Sequence, residues 1–209
     1  KKMGVSGALF DIEKLNDVSK NVISKMTAEE VYTLLSDWAK QYDEPFYALM
    51  TRDPAYTEAI LSIGRGGKKP RKDIAVWSEA KFYMDFFYDE LFQPDYTAYP
   101  ENTTEDVKKL LTEYAAVYDH TDDSGKWFER IKELSDKFGY ASNMKDYKKN
   151  PEAYRGSVAD VSMVIRVAVT GRQNSPDMYD VMQVLGQEKV LERLRRAAEN
   201  GIKTLESER

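Results

Sequence analysis

The chain has 209 residues, of which 42% are hydrophobic and 32% charged, a globular composition that is long enough to bury a core. It contains no cysteine and one histidine, His120, which excludes disulfides, thiolate metal sites, cysteine nucleophiles and multi-histidine metal sites. A net charge of −5 argues against a protein that binds nucleic acid over its whole surface, but it allows a local basic patch.

The sequence shows no feature of a membrane or exported protein. No apolar run approaches the roughly 20 residues of a membrane span, and no signal peptide opens the chain. We therefore expect a soluble cytoplasmic protein, or a piece of one, without a membrane partner.

The first part of the sequence predicts three helices. Thr27 and Glu30 form a capping box. Apolar residues then recur at helical spacing until Asp43-Glu44-Pro45: Val31, Leu34, Leu35, Trp38 and Tyr42. Pro54 suits the first turn of a second helix, which ends in a glycine-rich basic turn at residues 64–72. An aromatic-rich third helix is predicted from Asp73 to about Leu91.

The middle of the sequence begins with a connector at residues 93–100. Asn102 with Glu105 predicts the start of a helix that carries apolar residues up to Tyr118. The next apolar stripe begins at Trp127 and closes at Gly139. The polar, lysine-rich residues 140–156 lack periodicity and predict a surface loop.

The last third predicts three more helices. Ser157 and Asp160 cap the first, which ends at Gly171. Ser175 as cap and Pro176 at the first position start the second, and a final helix follows Gly186. The whole pattern predicts an all-α protein with little or no β structure. We expect two packed helical subdomains, residues 27–95 and 96–209, after a leading segment of residues 1–26.

The sequence offers no active site. The phosphate-loop, dinucleotide and nucleophile-elbow motifs are absent, and residues 64–68 lack the spacing and the preceding strand of a phosphate loop. His120 lies in an acid-rich loop, where a surface histidine is favoured over a metal or acid–base role. We therefore expect neither catalytic residues nor a metal site.

Two features point to binding. Five cations lie on the basic turn and can contact phosphates, with a merely solvated charge run as the alternative: Arg65, Lys68, Lys69, Arg71 and Lys72. Arg166 lies in a helix rich in valine and isoleucine and can stack on a base or bond its edge. The alternative is a structural arginine paired with Asp160 or Asp180.

Three stretches in order resemble one family. They are Ser6-Gly7-Ala8-Leu9-Phe10-Asp11-Ile12-Glu13-Lys14-Leu15-Asn16, then Asp85-Phe86-Phe87, then residues 164–188 with Ile165-Arg166-Val167-Ala168-Val169-Thr170-Gly171, Ser175-Pro176-Asp177-Met178 and Leu185-Gly186-Gln187-Glu188. Together they resemble the carboxy-terminal anticodon-binding region of bacterial glutamyl-tRNA synthetases.

The resemblance implies that the chain holds tRNA(Glu) and reads its anticodon, as a monomer. The family joins glutamate to tRNA with ATP and Mg²⁺, but its two ATP-handling signatures, His-Ile-Gly-His-like and Lys-Met-Ser-Lys-Ser-like, are absent here. The resemblance therefore implies a portion without catalysis or a cofactor of its own, in which residues 1–26 follow the catalytic core.

The resemblance also implies roles for particular residues. Arg166, Ser175, Pro176 and Met178 match family positions that face the anticodon loop. A basic family position that helps select the third anticodon base falls at or near Asp73, with Arg71 and Lys72 as neighbouring candidates, so acceptance of tRNA(Gln) as well stays open.

Other classes of function remain as alternatives. The main one is an α-helical protein–protein adaptor that docks through its aromatic stripes. An autonomous α-helical enzyme with paired carboxylates and the related class I lysine enzyme are weaker matches.

Overall fold

The computed structural model describes residues 11–206, with side chains up to residue 199, and this part of the chain is all-α, as predicted. Within it, β pairing is limited to one isolated parallel bridge between Ala141 and Ser157. Residues 6–10 of the first family-like stretch lie outside the described part. No helix in residues 11–206 combines the length and the apolar character needed to cross a membrane.

The chain divides into two compact units between Met84 and Asp85. We call the part up to Met84 unit 1 and the part from Asp85 unit 2. The sequence places the division further along, after residue 95, and the functional division into residues 1–26, 27–95 and 96–209 stays a prediction.

Unit 1 contains five α-helices in its described part. They are α1 (Ile12–Ile23), α2 (Ala28–Tyr42), α3 (Glu44–Arg52), α4 (Pro54–Ser62) and α5 (Ala80–Met84). The capping box of α2 is confirmed, because Thr27 Oγ1 accepts from Glu30 N at 3.1 Å and Glu30 Oε2 accepts from Thr27 N at 2.7 Å. The helix buries Val31, Leu35 and Ala39, whereas Leu34 and Tyr42 of the predicted stripe are exposed.

One aspartate connects α2 to α3, and a second connects α3 to α4. The prediction that no helix lies between Pro45 and Pro54 was wrong, because α3 occupies this stretch. Asp43 ends α2 and also caps α3, since its Oδ1 accepts from Phe46 N at 3.1 Å. Asp53 caps α4 in the same way, through Tyr56 N at 3.0 Å. Pro45 is tolerated because the first turn of a helix needs no amide donor at that position.

The prediction of one long helix from Asp73 to about Leu91 was also wrong. The chain instead forms α5 between two short 3₁₀ turns, Trp77–Glu79 and Asp85–Phe87. Phe86, Phe87 and Tyr88 are all buried. A surface helix has one apolar face and cannot bury three consecutive side chains, and here the chain forms a 3₁₀ turn over Asp85–Phe87 instead.

Unit 2 contains six α-helices in its described part. They are α6 (Val107–Val117), α7 (Ser124–Lys137), α8 (Met144–Lys149), α9 (Val158–Thr170), α10 (Met178–Leu185) and α11 (Gln187–Glu206). The α9 helix packs against α6, α7 and α11 and is the most deeply buried of them. Its predicted capping box of Ser157 and Asp160 and its end at Gly171 are confirmed. Gly171 has a φ of +73°, and a Cβ there would come within 2.6 Å of Pro94 Cα, so only glycine fits.

The start of α6 and the stretch 140–156 differ from prediction. The α6 helix begins at Val107, while the Asn102 side chain donates to Arg155 O at 3.2 Å. Residues 140–156 contain α8 and a buried tyrosine, Tyr140, whose hydroxyl donates to Asp106 Oδ2 at 3.0 Å. These contacts join residues more than 30 positions apart in the chain, which local patterns do not reveal.

One arginine is part of the unit 2 core. Arg193 of α11 is only 1% exposed. Its Nη1 donates to Val169 O at 2.8 Å, its Nη2 lies 3.4 Å from Asp89 Oδ1, and the guanidinium lies 3.8 Å from the centre of the Phe92 ring. A buried cation needs such partners to offset its lost hydration, so α11 is bound to the end of α9 by specific contacts as well as by apolar packing.

Candidate nucleic-acid interface

A surface groove of about 380 Å³ lies in unit 2 between α7, α9 and the start of α10. Its lining residues are Ser124, Trp127, Phe128 and Ile131 of α7, Ser162, Ile165 and Arg166 of α9, and Asp177, Met178 and Tyr179 at the start of α10. The groove therefore brings together Arg166 and Met178, two residues that the sequence singles out.

Arg166 is half-buried on the last turn and a half of α9, and it reaches the segment before α10. Its Nη1 donates to Ser175 O at 3.2 Å, to Pro176 O at 3.3 Å and to the Ser175 hydroxyl. Asp160, a candidate partner of Arg166 in the structural reading, caps α9 instead and accepts from Ser157 N at 2.6 Å. Arg166 is thus held at the groove by residues that the sequence also names as site residues.

Ser175 does not cap α10 as the sequence predicts. The helix begins at Met178, and its cap is Asp177, whose Oδ1 accepts from Asp180 N at 3.2 Å. The hydroxyl of Ser175 is buried and lies 3.3 Å from Met178 Sδ. Ser175 and Pro176 are therefore a buried support for Arg166, and buried Met178 contacts Ser175 and lines the groove.

Three aromatic side chains line the groove that the sequence does not assign to the site. The rings of Trp127 and Tyr179 lie 5.8 Å apart between centres, and Phe128 beside them is 37% exposed. Lys132 Nζ lies 5.4 Å from the centre of the Phe128 ring. The sequence places Trp127 in a core stripe, but Trp127 and Phe128 are adjacent, so one of them must leave that stripe. This adjacency is the signal that could have revealed an exposed aromatic residue.

The loop before α7 is hydrogen-bonded to α10. Tyr179 Oη donates to Asp122 O at 3.0 Å, and Gln183 Nε2 donates to His120 O at 3.0 Å. The Asp122 side chain pairs with Arg130 and, at 2.9 Å, with Lys126. These hydrogen bonds, that of Arg130 foremost, lower the pKa of Asp122 to about 2. Asp122 is therefore ionised at neutral pH and fixes this wall of the groove.

Two charged residues of opposite sign line the groove. They are Arg166 and Asp177, and burial raises the pKa of the neighbouring carboxyl of Asp180, as does the charge of Asp177. His120 Nδ1 lies 3.2 Å from Tyr118 Oη. Among the described residues, no three histidine or carboxylate side chains come together as metal ligands would.

The basic turn belongs to unit 1, and its five cations differ in their surroundings. Arg65 is partly buried: its Nε donates to Leu61 O and its Nη1 to Ile23 O, both at 2.6 Å. Burial lowers the pKa of its guanidinium. Arg65 therefore joins the ends of α1 and α4, a structural task that the charge run alone does not reveal.

Arg71 is exposed and paired with Asp73. Its Nε and Nη2 lie 2.7 and 2.8 Å from the two carboxylate oxygens. The aliphatic part of Arg71 covers Gly64, where a Cβ would come within 2.7 Å of Arg71 Cδ. Lys68, Lys69 and Lys72 are exposed on the same turn and are available for an external anion.

Comparison with known proteins gives a consistent picture. Residues 30–198 match the anticodon binding domain family. The chain is 47% identical over 196 residues to a glutamate–tRNA ligase of Acetivibrio thermocellus. The matched region covers 93% of this chain and 36% of the relative. The chain is 45% identical to the glutamate–tRNA ligases of Clostridium perfringens strain 13 (92% of this chain, 36% of the relative) and Sorangium cellulosum (93% and 34%). The chain thus spans about a third of the length of these curated relatives.

Proposed function

The chain belongs to the anticodon binding domain family, and on that premise we propose that it is the part of a class I glutamate–tRNA ligase that binds tRNA(Glu) and reads its anticodon. The names of the relatives support the ligase. The parent enzyme uses ATP and Mg²⁺ in this proposal, and catalysis belongs to the portion outside this chain. The parent acts as a monomer in the cytoplasm.

The observation that carries the proposal is the position of Arg166 in a groove with aromatic walls. Anticodon bases are single-stranded and can turn outward, where proteins stack them on aromatic rings and bond their edges with arginine. Arg166 supplies the donors, while Trp127, Phe128 and Tyr179 supply the rings. Ser175 and Pro176 already hold the guanidinium, so little side-chain freedom is lost on binding.

Ser175 and Pro176 act mainly as supports in this proposal, and Met178 faces the RNA. The first two orient Arg166 through their oxygens. Met178 forms part of the groove wall and offers an adaptable apolar contact to a base.

The basic turn serves the tRNA backbone. Lys68, Lys69 and Lys72 are exposed cations and contact phosphates without reading sequence. Arg71 contributes to the choice of the third anticodon base, and a base must then compete with Asp73 for Arg71. Arg65 serves as a support of the turn, because its Nε and Nη1 join the end of α4 to the end of α1.

The decisive experiment is a binding measurement with three RNAs at one stated salt concentration. The chain is titrated with tRNA(Glu), with tRNA(Glu) carrying an exchanged anticodon, and with an unrelated tRNA. Preference for the first over both others supports anticodon reading. Equal affinity for all three contradicts it and returns attention to the adaptor alternative, which the family membership does not favour.

A further inference from the structure

The groove of unit 2 carries a carboxylate beside its guanidinium. Asp177 is exposed and lines the groove together with Arg166. The two residues are close, because Arg166 Nη1 lies 3.3 Å from the carbonyl oxygen of Pro176, which directly precedes Asp177. A surface that binds only the phosphates of RNA is lined by cations, since a carboxylate repels phosphate. The Asp177 carboxylate therefore suits a part of the RNA that donates hydrogen bonds.

Local structure fixes the position of this carboxylate. Asp177 caps α10, and its Oδ1 accepts from Asp180 N at 3.2 Å. The bond holds the side chain at the start of the helix, so Oδ2 is the acceptor that can serve a ligand in the groove. Asparagine and serine cap helices about as well as aspartate does. The capping role can therefore be separated from the charge by substitution.

We propose that Asp177 is a specificity-determining residue, which together with Arg166 selects cytosine over uracil at the anticodon position that enters the groove. This inference rests on the proposed function. The exocyclic amino group of cytosine donates to a carboxylate, while its ring nitrogen and carbonyl oxygen accept from the fork of donors on a guanidinium. One carboxylate oxygen and one arginine thus match the whole pairing edge of cytosine, an edge that proteins read in single-stranded RNA.

The other bases match this pair of side chains less well. Uracil presents a carbonyl oxygen where cytosine has its amino group, so two acceptors would meet at Asp177, and the unmade hydrogen bond is costly. Guanine presents two neighbouring donors, which call for both carboxylate oxygens, whereas Oδ1 is engaged at the start of α10. Adenine offers one ring acceptor beside its amino group, half of what the guanidinium fork can use.

Binding measurements with altered anticodons test the proposal. The chain is titrated, at one stated salt concentration, with tRNA(Glu) transcripts that carry cytosine or uracil at each anticodon position in turn. We expect cytosine to bind at least fivefold more tightly than uracil at one position. Asp177→Asn keeps the cap and the shape but offers an amide donor to the uracil oxygen, so the preference at that position should vanish or reverse.

Asp123→Asn is the matched control. Asp123 caps α7 in the same way, since its Oδ1 accepts from Lys126 N at 2.9 Å. It directly precedes Ser124 of the groove, but it is not one of the described residues that line the groove. Removal of one negative charge raises the affinity for any RNA in both variants. The ratio of cytosine to uracil binding should change only in Asp177→Asn.

Asp177→Ser guards against a failure of the asparagine variant to fold. Serine is also a good cap and carries no charge, so it should reduce the cytosine preference at least threefold. Circular dichroism and the urea midpoint of each variant confirm that the helices remain folded.

Three results overturn the proposal. They are no preference for cytosine at any anticodon position, a preference that persists in both Asp177 variants, and an equal loss in Asp123→Asn. Failure of anticodon reading itself has a different signature, which is equal affinity for tRNA(Glu), its exchanged-anticodon form and an unrelated tRNA. A chain that prefers tRNA(Glu) and keeps the same cytosine-to-uracil ratio in Asp177→Asn contradicts the role of Asp177 alone.

Discussion

Arg166 and Ser175 lie nine residues apart in the chain, yet the guanidinium of the first donates to both the carbonyl and the hydroxyl of the second. The bond links the end of α9 to the segment that leads into α10. The two residues therefore form one unit, and a change at either one alters the groove.

Arg166→Ala should weaken binding of tRNA(Glu) by about tenfold to a hundredfold, since a base contact by arginine is worth roughly 1–3 kcal/mol. The tRNA with an exchanged anticodon should lose much less. Arg195→Ala is the control, because Arg195 is an exposed arginine of α11 outside the groove. Equal losses on both tRNAs would reduce Arg166 to a structural or phosphate contact.

Phe128→Ala should lower the affinity for tRNA(Glu) by a factor of at least five. Stacking of one base on an aromatic ring is worth about 1–3 kcal/mol, and the half-exposed ring can be removed without opening the core. Phe82→Ala removes an exposed phenylalanine of unit 1 and should have little effect. Identical affinities of the two variants would exclude Phe128 from the interface.

Replacing Lys68, Lys69 and Lys72 together with alanine should weaken all tRNAs alike and flatten the dependence of affinity on salt. Each lost phosphate contact reduces the slope of log K against log salt by about 0.7–0.9. The matched control replaces the three exposed lysines of α8, Lys145, Lys148 and Lys149. A slope that stays at the wild-type value would remove the basic turn from the RNA contact.

Arg65→Ala should act on stability and only indirectly on RNA binding. It leaves the carbonyls of Ile23 and Leu61 without their charged donor, at a cost of about 1.5–3 kcal/mol in the free energy of unfolding. Arg71→Ala breaks an exposed ion pair with Asp73 and should cost less than about 1 kcal/mol. Urea denaturation of both variants distinguishes them, and equal midpoints would contradict the structural role of Arg65.

Asp122 should make the free energy of unfolding fall as the solution becomes acidic. Its pKa falls from an ordinary 3.8 to about 2 in the folded protein, so between these values the unfolded chain binds the extra proton. The stabilisation is therefore complete above about pH 4 and is lost as the pH falls towards 2. Asp122→Asn should lower stability at neutral pH and make the dependence of stability on pH shallower in that window. If stability depended on pH in the same way in Asp122→Asn and in the wild type, the lowered pKa of Asp122 would be contradicted.

Local sequence signals predicted the parts of the fold that depend on neighbouring residues. The capping boxes at Thr27 and Ser157 and the end of α9 at Gly171 each involve residues within four positions of one another, and all were confirmed. The helix predicted over residues 73–91 failed because burial of Phe86, Phe87 and Tyr88 overrides local periodicity.

The candidate site was predictable only in part, for the same reason. Arg166 stands out in the sequence as an arginine within an apolar helix and Met178 through the family resemblance, and the structure brings them into one groove. Trp127, Phe128 and Tyr179 did not stand out, because the groove depends on contacts such as that between Tyr179 and Asp122, which are 57 residues apart. No helical period encodes such a contact.

The single-residue joints at Asp43 and Asp53 have a consequence for how this part of the chain can vary. Each aspartate completes one helix and starts the next, so neither joint has a spare residue. An insertion at Asp43 would separate the cap from Phe46 and displace Phe46 and Met50 from their buried positions. Residues 28–62 should therefore accept many substitutions at exposed positions but no change in length. A fixed spacing between the two aspartates should then identify the same helical unit in other sequences.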